Sequence, residues 1–76
     1  MHGIYRIKVR VAHNHEAVCE YTGKTHPAEG EYLNINGRRY VVLSVEHHVE
    51  SYPDSRGEHH LLDHVELSVA FRAKLN

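Results

Sequence analysis

The chain has little of what usually staples or punctuates a small fold: among 76 residues there is one cysteine, two prolines, one phenylalanine, one methionine and no tryptophan. Cys19 alone cannot close a disulfide within the chain, so no covalent staple is expected and nothing points to an oxidising compartment. The expectation is a cytoplasmic protein. Long apolar runs are missing as well. The longest, residues 40–43, falls far below the roughly 20 residues that cross a bilayer. Arg6, Lys8 and Arg10 stand where a signal peptide would be apolar, so no membrane is expected as a partner. Neither charge is in excess: nine cations and ten carboxylates leave a net charge of −1, and no global field draws the chain to nucleic acid or an anionic surface.

What is present is ordinary for a globular chain, with 41% hydrophobic and 25% charged residues, and this length suits a single domain over residues 1–76. Histidine is the exception. Nine imidazoles would carry the charge from −1 to +8 if all were protonated, and an unperturbed imidazole titrates near pH ~6.5, so solubility and self-association should respond to pH.

Hydrophobic periodicity places the elements. Tyr5, Ile7, Val9 and Val11 alternate with Arg6, Lys8, Arg10 and Ala12, the period-2 pattern of a half-buried strand. The polar run His13, Asn14, His15, Glu16 favours a turn, and residues 17–21 read as the returning strand. Residues 22–30 hold two glycines and a proline and form a loop. A strand over residues 31–35 is followed by Asn36-Gly37, which supplies the two positive-φ residues of a type I′ hairpin turn, and then by a long strand over residues 38–50. In that strand Val41, Leu43, Val45 and Val49 are expected to face the core. After a polar turn at residues 51–58, alternation returns over residues 61–73 with Val65, Leu67, Val69 and Phe71.

These elements predict an all-β fold: a five-stranded antiparallel meander curled into a small barrel or strongly bent sheet, similar to SH3-like barrels in size and strand number only. An open sheet packed in a dimer is the alternative. A core this small leaves a thin margin over the entropy of ordering the chain, and exposed edge strands could be stabilised by pairing in a homo-oligomer.

Candidate chemistry gathers on the last two strands. One loop joins them, so positions summing to about 110 or 112 should face each other. His48 then lies opposite Leu62 or His64, and Glu46 opposite His64 or Glu66, all on the outer face. Glu46, His48, His64 and Glu66 offer the ligand types of a zinc-like divalent metal site. An exposed polar ladder, worth roughly 0.2–1 kcal/mol per cross-strand pair, accounts for the same residues without a metal. His47 falls on the inward face opposite Asp63 or Val65, and Asp63 at the rim of the core is its expected hydrogen-bond partner in a structural pair. No nucleophile accompanies that pair, because Ser44 and Ser68 point outward.

Arg6, Lys8 and Arg10 line one face of the first strand, with Arg38 and Arg39 just past the Asn-Gly turn, a stripe that could follow a phosphate backbone. Pairing with Glu20 or Glu66 explains the same cations, and Tyr5 and Tyr21, which would stack bases, lie in the inward phase. His13-Asn14-His15 matches the HNH nuclease motif in spelling only. His13, His15 and Glu20 echo part of a cupin metal motif, but its glycine and its second half are missing and the chain is too short for a double-sheet roll. Cys19 shares the buried phase of Ala17 and Tyr21 and reads as packing. No phosphate loop, catalytic carboxylate pair or Ser-His-Asp order is present. The residues thus point to a non-enzymatic interaction or assembly module that self-associates or binds a protein partner, with a histidine-dependent metal-binding domain as the alternative and a small nucleic-acid-binding barrel third.

Overall fold

A computed structural model describes residues 4–75, and for residues 52 and 59–62 the backbone alone. The alternating Ile7, Val9 and Val11 build β1 (Tyr5–Val11), and the chain reverses through a turn in which His15 takes φ 61° and the Glu16 amide donates to Asn14 Oδ1 at 2.9 Å. It returns as β2 (Ala17–Gly23). β3 (Tyr32–Ile35) and β4 (Arg38–Pro53) meet across Asn36 and Gly37, whose φ values of 51° and 79° are both positive, as a type I′ turn requires. β5 (His59–Lys74) follows a tight turn closed by Asp54, whose Oδ1 accepts from the amides of Arg56 at 2.8 Å and Glu58 at 3.0 Å. No helix occurs among the described residues, so none is long and apolar enough to cross a membrane.

The expected meander is corrected by the strand order, β2-β1-β5-β4-β3. β1 runs parallel to β5, from Ile7 opposite Val65 to Val11 opposite Val69, while the other three pairings are antiparallel. The sheet is therefore mixed. It is also not closed, because β2 and β3 end it on opposite edges without pairing. The physical reason is that residues 24–31 carry the chain from one edge to the other, which leaves the β1-facing edge of β5 free to take the first strand. There Ile7 and Val9 meet Val65 and Leu67 side by side, and all four are buried.

The core is Ile7, Val9, Val11, Tyr40, Val42, Val65, Leu67 and Val69. This corrects the phase expected for the start of β4. A bulge inserts Leu43, so Val42 opposite Val69 is followed directly by Ser44 opposite Ser68. Before the bulge the even-numbered Tyr40 and Val42 point inward, and after it Val45 does. Leu43 is 45% exposed, and Val49, in the inward phase but beyond the covered part of the sheet, is 60% exposed. A second bulge at Arg72 follows Phe71, which lies opposite Tyr40 and stays half exposed.

β4 and β5 are much longer than their neighbours. β3 pairs with β4 only through residues 38–41 and β1 with β5 only through residues 65–69, so the six pairs from His48–His64 to Pro53–His59 form a ribbon with no third strand. It projects from the body, and the molecule extends 52 × 27 × 19 Å.

Candidate functional site

The root of this ribbon holds the four residues expected to cluster. Antiparallel register sets His48 opposite His64 and Glu46 opposite Glu66, and two-residue periodicity keeps all four on the outer face. The two imidazoles stack at 4.8 Å between centroids with only 4° between planes. His64 Nε2 lies 3.7 Å from Glu66 Oε2, and His48 Nε2 lies 3.6 Å from Glu46 Oε1. Glu66 also receives Arg10 at 3.9 Å from the neighbouring β1.

One donor atom each from His48, His64 and Glu66 lies within 4.8 Å of the others. A tetrahedral ion with bonds of ~2.1 Å holds its donors about 3.4 Å apart, so the trio must contract by roughly 1.4 Å to bind one. Rotamer changes can supply that, because the side chains are 44%, 23% and 26% exposed. Glu46, 66% exposed and beside His48, is placed to be the fourth donor or a hydrogen-bond acceptor that orients the imidazole. Arg10 competes for Glu66. All four side chains are at least partly exposed to water.

His47 and Asp63 are not brought together. His47 sits opposite Val65, Asp63 opposite Val49, and no hydrogen bond or ion pair joins the two among the described residues. Instead the His47 ring meets His26 edge-on at 5.1 Å, and His26 meets Tyr5 at 5.1 Å, a three-ring cluster at the ribbon end of the inner face. His26 comes from the loop over residues 24–31, with Nδ1 3.0 Å from the Pro27 carbonyl oxygen. Only the topology reveals this cluster, since nothing in the spacing links residues 5, 26 and 47.

The cationic stripe is broken into pieces. Lys8 lies in register between Glu20 on β2 and Glu66 on β5, and Arg10 is held by Glu66. β5 separates these from Arg38 and Arg39, which project to opposite faces: Arg38 lies over the Phe71 ring at 6.0 Å, and Arg39 over Tyr32 at 5.6 Å while donating to Asn34 Oδ1 at 3.2 Å. Compared with family models, curated proteins and solved structures, the chain matches none. Its function must be read from its own residues.

A groove runs between the unpaired edges β2 and β3, a feature the spacing of residues does not announce. Two shallow cavities of about 320 and 490 Å³ open there, both lined by Ile35 and Asn36 from the β3 side, with Val18 in the first and Cys19 and Tyr21 in the second. Burial pushes the Cys19 thiol pKa up, and burial followed by the nearby Cys19 does the same to the Tyr21 hydroxyl. The thiol thus stays protonated near neutral pH, which suits a packing role better than a nucleophile.

Proposed function

We propose that this chain is a non-enzymatic interaction module that associates with copies of itself through strands its sheet leaves uncovered. One observation carries the reading: the sheet ends in two unpaired edges, β2 and β3, and the β4–β5 hairpin continues past the body as a two-stranded ribbon. An isolated two-stranded ribbon is only marginally stable in water, and open edges are templates for another chain. Sedimentation equilibrium at neutral pH tests it. A dimer or larger species is expected at micromolar concentration, and a clean monomer up to hundreds of micromolar would sink the reading. A cytoplasmic location remains part of the proposal on cysteine content and apolar runs alone.

A second reading is a zinc-type metal-binding domain, favoured by the convergence of His48, His64 and Glu66 within 4.8 Å with Glu46 alongside. Both readings can hold together, since the His48, His64 and Glu66 cluster lies at the root of the ribbon. Nucleic acid is the weakest partner, because Glu20 and Glu66 flank Lys8 in register and Glu66 pairs with Arg10.

A further inference from the structure

The two ends of the β4–β5 hairpin carry opposite charge. Residues 46–66 hold six carboxylates (Glu46, Glu50, Asp54, Glu58, Asp63 and Glu66) against one cation, Arg56, a net of −5 with histidines neutral. The other end, residues 38–45 and 67–74, holds Arg38, Arg39, Arg72 and Lys74 and no carboxylate, a net of +4. These two ends together account for the −1 of the whole chain. At ~3.3 Å per residue the acidic ribbon and the basic end are on the order of 40 Å apart. That is several Debye lengths at physiological salt, so neither neutralises the other within one molecule.

Three charges at each end are open to a partner. Glu50, Glu58 and Asp63 at one end, and Arg38, Arg72 and Lys74 at the other, are exposed and make no ion pair among the described residues. Apolar surface accompanies them: Val49 on the ribbon is 60% exposed, while Tyr32 and Phe71 at the basic end are 58% and 51% exposed.

We propose that a second copy of this chain occupies these surfaces, two molecules lying side by side and antiparallel with the acidic ribbon of each along the basic end of the other. A two-fold arrangement of this kind sets the exposed Glu50, Glu58 and Asp63 against Arg38, Arg72 and Lys74 at both contacts and closes on itself, so it yields a dimer and not a fibre. It also gives a neighbour to the ribbon, with which no third strand pairs. The inference rests on the self-association reading above and names the surface it uses.

Charge reversal tests it. Glu50→Lys, Glu58→Lys and Asp63→Lys together turn residues 46–66 from −5 to +1, and Arg38→Glu, Arg72→Glu and Lys74→Glu together turn the basic end from +4 to −2. All six side chains are exposed, so circular dichroism should show both triple variants folded. In sedimentation velocity at about 50 mM salt, where screening is weak, each variant alone should be monomeric at concentrations where the parent is dimeric. Mixed in equal amounts they should form a dimer again, because both contacts of the mixed pair join opposite charges. The parent dimer should weaken at least ~tenfold when salt rises to about 0.5 M. If both variants dimerise as the parent does, this surface is wrong while self-association stands. Variants that are monomeric alone and remain so when mixed also overturn it. A parent that is monomeric at every concentration ends both proposals, and if it then retains a single-stranded oligonucleotide through Arg38 and Lys74, the basic end belongs to nucleic acid.

Discussion

At the residue scale, alternation located every strand, yet it misassigned the start of β4. Counting odd positions puts Val41 and Leu43 inside, and the Leu43 bulge makes Tyr40 and Val42 the buried pair. Residues 40–43 are all apolar, so neither phase is favoured by composition and only the fit against Val69 and Phe71 decides between them. After the bulge the odd phase returns, which is why His48 and His64 fall on the outer face as their positions suggest, and of the two partners the hairpin register allows His47, Asp63 or Val65, the structure has Val65. The phase can be tested directly. Val42→Ser removes a side chain 1% exposed and leaves a hydroxyl in the core, a cost of roughly 2–4 kcal/mol. Leu43→Ser acts on an exposed side chain and should cost less than ~1 kcal/mol. Urea denaturation of the two variants would reverse that order if the bulge were absent.

At the scale of elements, the β4–β5 hairpin was the most legible part because a single loop and matched faces constrain its register to two choices. The observed sums of 112 around the ribbon root bring His48 opposite His64. Strand ends were less legible: the hairpin runs from residue 38 to 53 and from 59 to 74, past the polar positions where alternation stops marking a buried face. The metal reading belongs to this scale, since it depends on two strands holding four donors in place. Zinc should raise the melting temperature at about pH 7.5, because a ligand that prefers the folded state stabilises it by mass action. The effect should weaken as the pH falls, because protons compete with the metal for the imidazole lone pairs. His48→Gln together with His64→Gln keeps the outer face polar and removes both nitrogen donors. That double variant should lose the zinc shift while keeping its metal-free stability. An equal shift in parent and variant would assign the cluster to a polar ladder.

At the scale of the whole molecule, the pairing of β1 with β5 could not be read from the chain. Consecutive strands are neighbours in most sheets, which favours a meander, whereas a parallel pair between the first and last strands depends on contacts about sixty residues apart and on the path of residues 24–31. The same topology makes the molecule long. Its Cα radius of gyration is 14.8 Å, against about 11 Å for a compact domain of this length. An elongated shape with opposite charge at its two ends can associate in two ways that differ in outline. Side-by-side antiparallel packing thickens the particle, and its longest dimension should stay near the 52 Å of one copy. Joining end to end, ribbon of one to basic end of the next, nearly doubles that length and leaves free ends that keep recruiting molecules as concentration rises. Small-angle scattering at low salt separates the two, with a particle of doubled mass and almost unchanged maximum dimension expected. A maximum dimension near twice that of one copy, or one that grows with concentration, would exclude the antiparallel dimer even if sedimentation had found the parent associated.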